Sequence, residues 1–327
     1  MTADDRQAGP PRPLPARSRG RHAGTGAAAG GSPAAPSRAA MARTRPAGLR
    51  AQARAALTVS PLATAGLVII VVAILFCFGG PLFYHWQQGH VDLRLGNLSP
   101  RAGHPLGTDS DGVDILGQLM TGGQISLEAG IAAGVLAAVV GSLWGAVAGY
   151  LGGFADALMM RIVDAAIAIP ALILLLLLVT IYSPSAWVLV LVIAATSWLG
   201  TARLVRAEAL TLRVREYVQM VTVMGGGGLR AIARHIAPNA AGTIAVNVTF
   251  QVGNAILTLA TLSYLGLGVQ SPSVDWGDMI GSGIQFIDDG YWWQIVPPGV
   301  AIIAVIVAFT MLGDGLRDAF QARDQQH

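Results

Sequence analysis

The sequence predicts an all-α integral membrane protein with six transmembrane helices and a cytoplasmic loop between spans four and five. Three observations lead there. The 327 residues are 53% hydrophobic and only 12% charged, where soluble domains carry about 25% charged residues. The missing charge is concentrated in long gaps: none lies between Arg54 and Asp92, Asp164 and Arg203, Arg234 and Asp275, or Asp289 and Asp314. Apolar runs of about 18 residues or more are long enough to cross a hydrocarbon core about 30 Å thick. Finally, all 21 basic residues are arginine, and they fall on alternate connecting segments, as expected of a chain oriented by its positive loops.

The elements follow in order. Residues 1–45 are rich in Ala, Gly, Pro, Arg and Ser and almost free of large apolar side chains. Such a segment buries too little surface to offset its ordering entropy and is expected to be a disordered basic tail. Nucleic-acid binding is the other reading of a basic tail, but it has no interleaved aromatics or folded module. Met41 offers an alternative start. Residues 46–60 form a juxtamembrane segment that fits a short basic helix on the inner membrane surface. The first apolar run is too long, and too far into the chain, for a cleavable signal peptide.

The six-span domain covers 61–320, followed by a short tail, 321–327. Span one covers about Leu62 to Phe83 and span two about Ile125 to Tyr150. Span three runs from about Met160 to Ile181, where Tyr182-Ser183-Pro184 breaks it. Span four runs from about Ala186 to Leu204, span five from about Gly242 to Leu265, and span six from about Gln294 to Leu312. With both termini inside, nineteen of the 21 arginines are cytoplasmic and only Arg94 and Arg101 lie outside. The reverse orientation inverts the positive-inside pattern.

Composition also excludes chemistry. One cysteine, Cys77, lies inside span one, so neither an intrachain disulfide framework nor a cysteine-rich metal site is available. There is no lysine, and a Walker A loop needs one for the nucleotide phosphates. No catalytic set and no metal site can be assembled from the sequence, so any ATP hydrolysis must come from a partner.

The connection after span four reads TARLVRAEALTLRVREYVQMVTVMGGGGLRAIARHIAPNAAG. Its pattern predicts a helix continuing out of span four through Val223, a break at Gly225–Gly228, and a second helix from Leu229 to Ile236. That helix ends near Pro238, because proline cannot continue a helix interior and disfavours helical geometry in the residue before it. The result is a protruding elbow, although a solvated basic loop has the same composition.

This segment resembles the permease subunits of ABC importers. Their signature is Glu-Ala-Ala, three residues, Gly, nine residues, Ile-x-Leu-Pro. The chain has Gln219-Met220-Val221, Gly225, and His235-Ile236-Ala237-Pro238 at that spacing. The Gly and Pro match, and the Glu-Ala-Ala and Ile-x-Leu positions depart. Further stretches are similar to dipeptide and oligopeptide permeases of the C-subunit type. They are His104-Pro105-Leu106-Gly107-Thr108-Asp109 with Gly112-Val113-Asp114-Ile115-Leu116, Met160-Arg161-Ile162-Val163-Asp164, Ala202-Arg203-Leu204-Val205-Arg206-Ala207-Glu208, Leu262-Ser263-Tyr264-Leu265-Gly266-Leu267-Gly268 and Leu312-Gly313-Asp314-Gly315-Leu316-Arg317-Asp318. The resemblance covers roughly residues 55–323.

The resemblance implies the fold of a binding-protein-dependent ABC importer permease moving peptides by alternating access. It implies a second homologous permease subunit, two ATPase subunits or domains carrying ATP and Mg, and an extracytoplasmic binding protein. Similar permeases serve nickel, haem or glutathione systems. The elbow becomes a coupling helix, with Glu216, Gln219, Gly225, Arg230, His235 and Pro238 facing the ATPase. His235 is read as an ordinary contact residue, with pH sensing as its alternative.

Span five carries a candidate path without the resemblance. Asn247, Gln251, Asn254, Thr258 and Thr261 recur at steps of four, three, four and three, the period of one helix face. Amides and hydroxyls suit a peptide backbone in transit, and they serve equally in interhelical hydrogen bonds. Glu128, near the outer end of span two, suits either a substrate amino terminus or the interface region. Asp109, Asp275, Trp276 and Asp278 are expected to contact the binding protein, and Trp292 and Trp293 fit an interfacial belt. The rival class is a stand-alone secondary carrier, which requires ion-coupling residues buried in the spans.

Overall fold

The computed structural model describes residues 60–85, 91–182, 185–215, 220, 237–269 and 272–324. The tail 1–45, nearly all of 46–60, and the coupling residues Glu216, Gln219, Gly225, Arg230 and His235 lie outside the described residues. Among the described residues all regular structure is helical. Five helices are long and apolar enough to cross a membrane, and a bent pair makes six if it counts as one crossing.

The first helix, α1 (Pro61–Phe83), starts where Ser60 accepts the Ala63 N–H at 3.4 Å and Pro61 fills the first turn, a position where a missing N–H costs nothing. Its turn at Leu75–Gly79 is π-helical. The Gln124 amide donates to the Cys77 carbonyl over 2.8 Å, and a side chain inserted into the helical ladder accounts for such a widening.

Helix α2 (Ile115–Leu151) is longer than the expected second span and starts ten residues earlier, where the Asp114 carboxylate accepts the Gly117 N–H at 2.8 Å. The Gly- and Gln-rich segment 117–124 lies before the expected start of span two at Ile125. It is helical because it is packed inside the protein: Gln118, Gly122 and Gly123 are buried.

Span three is not one helix. It divides into α3 (Gly153–Ile167) and α4 (Ala171–Ile181), set at 81° to one another. The break falls at Ala168, Ile169 and Pro170, where proline removes a backbone donor and its ring pushes Ile169 out of helical geometry.

Helix α5 (Ala186–Arg213) lies along α2. Gly141, Gly145 and Gly149, one per turn of α2, make this approach possible. A Cβ on them would lie 2.5 Å from the Trp198 carbonyl, 2.3 Å from that of Ala202 and 2.9 Å from that of Arg206. Small residues every fourth position let membrane helices meet backbone to backbone. Instead of continuing to Val223, α5 stops at Arg213, where Arg215 N–H bonds back to the Leu212 carbonyl at 3.1 Å.

Helix α6 (Ala237–Tyr264) carries Pro238 in its first turn and packs against α2, α5 and the last helix, α8 (Val296–Asp324). It ends in a reversed turn at Gly266, φ +80°, with Gly266 N–H on the Ser263 carbonyl and Leu267 N–H on that of Leu262. That is the Schellman bonding pattern, which satisfies carbonyls orphaned at a helix end. A short outer helix, α7 (Trp276–Gly283), follows. The main core joins α1, α2, α6, α7 and α8 through Ile70, Leu127, Ile256, Trp276 and Phe309.

Candidate functional site

The polar stripe of α6 divides in the folded protein. Gln251 is buried, and its amide donates to the Ser197 carbonyl of α5 at 2.6 Å and to the Thr201 hydroxyl at 3.0 Å. Gln251 therefore belongs to the α5–α6 contact. Asn247 is half-buried and accepts the Thr201 proton at 2.7 Å. Asn254 is exposed, and Thr258 and Thr261 are partly exposed. Both hydroxyls donate to carbonyls of their own helix, those of Asn254 at 2.7 Å and Leu257 at 2.8 Å. Along with Thr243 and Phe250, these residues recur every three or four positions, so they share one side of α6. From Asn254 to Tyr264 that side exposes the side chains of Asn254, Leu257 and Tyr264 among the described residues. At its other end it opens into a cavity of about 270 Å³ bounded by α5, α6 and α8.

The other end of the molecule is closed by a loop cap. Thr108 donates to the Leu95 carbonyl at 2.5 Å and accepts the Leu98 N–H at 2.9 Å. The Gln294 amide donates to Asn97 at 2.7 Å. His104 and Tyr84 both bond Asp114, at 2.8 and 3.0 Å, and since a carboxylate only accepts, both donate. Burial, with the Asp114 charge added, pushes the Tyr84 phenol up to about 12, so it stays a donor. The segment that resembles the importer motif thus ties the start of α2 to the end of α1.

This changes the expected binding-protein contacts. Asp275 is fully buried: it caps α7 by accepting the N–H groups of Gly277 and Asp278 and the Ser263 hydroxyl at 2.6 Å. Burial raises its pKa in spite of those bonds. Trp276 is 1% exposed and donates to the Leu119 carbonyl at 2.9 Å. Both residues build the fold and offer no surface to a partner. The Asp109 carboxylate is taken up by the N–H groups of Asp111 and Val113 and the Gln118 amide; burial, the largest influence, raises its pKa. Of the four, Asp278 alone presents a carboxylate without a hydrogen-bond donor among the described residues. Burial and the neighbouring Asp275 push it up to about 6. Glu128 is exposed, thirteen residues into α2, roughly 20 Å along the axis at 1.5 Å per residue. The longer helix moves it away from the end where it was expected.

Sequence reasoning missed three groups. Thr201 bridges α5 and α6, but a single hydroxyl in an apolar helix carries no periodic signal. Asp156 and Arg206 form a two-pronged ion pair, 2.5 and 2.7 Å, between α3 and α5, and Asp164 meets Arg203 at 2.6 Å beside it. Arg317 lines the cavity at the end of α6. These arginines had entered as markers of orientation and as parts of the resemblance, with no partner assigned, although charges inside apolar helices are usually paired or functional.

Residues 141–324 match the family described as the binding-protein-dependent transport system inner membrane component. A Brucella suis biovar 1 protein provisionally named a peptide permease is 37% identical over 259 residues, 79% of this chain and 86% of that protein. The oligopeptide transport system permease protein OppC of Bacillus subtilis is 35% identical over 262 residues, 80% of this chain and 86% of its own length. Its Escherichia coli namesake is 36% identical over 265 residues, 80% and 87% of the two chains.

Proposed function

The chain belongs to the binding-protein-dependent transport system inner membrane components, and on that premise we propose that it is the permease subunit of an ATP-driven importer of peptides. The observation that carries this reading is the exposed polar side of α6. It presents Asn254, Thr258 and Thr261 from a helix otherwise packed on α2, α5, α7 and α8, in a chain whose relatives are named peptide permeases. Polar groups of membrane helices face a cavity or a partner in preference to lipid. Amides and hydroxyls bond a peptide backbone weakly enough to release it. The exposed side of α6 faces a second, homologous permease across the path.

The chain supplies no phosphate-binding lysine. ATP and Mg therefore belong to two partner ATPase subunits or domains, engaged by the segment from Glu216 to Pro238. Motion enters through α5 and α6, which flank that segment. The Asp156–Arg206 and Asp164–Arg203 pairs link α3 to α5, so α3 follows. Both termini are cytoplasmic, as the arginine distribution requires, and Asp278 and the rim around Trp292 face the binding protein. Replacing Gly225 by Trp tests the coupling role: peptide uptake is abolished while the subunit stays in the membrane. Normal uptake by that variant contradicts it.

A further inference from the structure

The polar side of α6 ends in the 270 Å³ cavity, and among the described residues Arg317 is the one charged side chain lining it. Leu204, Val246, Phe250 and Phe320 supply apolar walls. The volume is just below the range of about 300–1,000 Å³ that holds drug-sized ligands, so it suits a short terminal segment of a longer molecule. The Arg317 guanidinium lies over the Phe250 ring, 5.7 Å from its centroid. A guanidinium held on an aromatic face keeps its N–H fork free for a planar acceptor. Arg203 and Arg206 already hold Asp164 and Asp156. Among the described residues no carboxylate pairs with Arg317; Asp314 and Asp318 share its helix without reaching it.

The neighbouring amide is oriented by a chain of bonds that starts at a backbone group. The Ser197 carbonyl can only accept, so Gln251 turns its nitrogen toward it and also donates to Thr201. Thr201 then has its own proton to give, and gives it to Asn247 Oδ1. The Asn247 nitrogen is left with no acceptor among the described residues, and Asn247 lines the cavity. The cavity therefore offers a guanidinium fork and an amide N–H, both donors, with one positive charge. Charge-assisted and two-pronged bonds from such a set select a carboxylate.

We infer that this cavity is a carboxylate-recognising site, where Arg317 and Asn247 take the C-terminal carboxylate of a peptide at the inner end of the path. This rests on the peptide-permease reading above and adds the chemical end of the substrate that is recognised. Hydrogen bonds to charged groups contribute about 1.5–3 kcal/mol, so losing the ligand's charge weakens binding by about tenfold or more.

The test uses the whole transporter in phosphatidylcholine nanodiscs, without binding protein, and compares trialanine with its C-terminal amide by equilibrium dialysis. The acid is expected to bind at least about tenfold more tightly than the amide. Arg317→Gln and Asn247→Asp each erase that preference. Asn247→Asp keeps the shape of the side chain, so the test survives if Arg317→Gln does not assemble. Equal binding of acid and amide by the parent, no binding of trialanine, or an unchanged preference in both variants overturns the inference. So does Arg317→Gln if it strips phosphatidylglycerol from the purified complex without affecting trialanine, which makes the cavity a lipid site. ATP-driven uptake of labelled peptide, measured on the same preparation, separates the two readings. Uptake without acid preference sinks this site alone, and a complex that neither hydrolyses ATP nor moves peptide sinks both.

Discussion

Thr201 of α5 donates to Asn247 of α6 over 2.7 Å and accepts from Gln251 at 3.0 Å. One buried hydroxyl thus satisfies two amides on the neighbouring helix. Thr201→Val keeps the shape and removes both bonds. The expected cost is about 1–3 kcal/mol, the penalty for buried polar groups left without partners, seen as a lower thermal midpoint in detergent. An unchanged midpoint contradicts the bridge.

The two ion pairs between α3 and α5 should differ in weight. Asp156 is buried and holds Arg206 with both oxygens, whereas the Asp164 and Arg203 side chains are 48% and 49% exposed. Asp156→Asn leaves a half-buried guanidinium without its partner and should cost about 1–3 kcal/mol. Asp164→Asn should cost about 0–1 kcal/mol. Thermal unfolding of the two variants side by side checks the order.

Gly145→Ala places a methyl 2.3 Å from the Ala202 carbonyl, and α2 cannot admit it without moving off α5. Overpacking of this kind costs about 1–3 kcal/mol. Gly200→Ala is the control: it is helical and exposed, with nothing within 4 Å of the added carbon, and should be neutral or stabilising by about 0.5–1 kcal/mol. Equal effects at the two positions refute the account of the α2–α5 contact.

Asp278 should make the outer helix sensitive to pH. Its carboxyl is raised to about 6, so the folded state holds the proton more tightly than the unfolded state, whose value is about 4. The group's contribution to stability is therefore complete below about pH 4 and declines as pH rises through about 6. Asp278→Asn stays neutral. It should unfold at a higher temperature than the parent above pH 6, with the difference gone near pH 4. A constant difference across that range contradicts the raised value.

Much of this protein was legible in its sequence. Charge-free runs gave the long helices, because hydrocarbon thickness sets their length. Span five is expected to end near Leu265, and the helix ends at Tyr264, with Gly266 turning the chain back at φ +80°. The limits are equally specific. Residues 117–124 are helical because α1 and α7 cover them, which no local pattern records. Pro170 was present in the sequence, but the unbroken apolar run around it hid the 81° bend. Asp275 and Trp276 looked like surface groups because loops normally are; here Ser263 and the Leu119 carbonyl provide the partners that let them be buried. Within the stripe of α6, periodicity identified the helix side but not the neighbour. Gln251 meets α5, while Asn254, one turn on, is exposed among the described residues.

The most direct measurement is the ATPase activity of whatever co-purifies with the full-length chain from its native membrane. The account predicts an ATPase and a second permease in the preparation, and hydrolysis that rises when a peptide-loaded binding protein is added. A chain that purifies alone and moves solute into liposomes without ATP contradicts it.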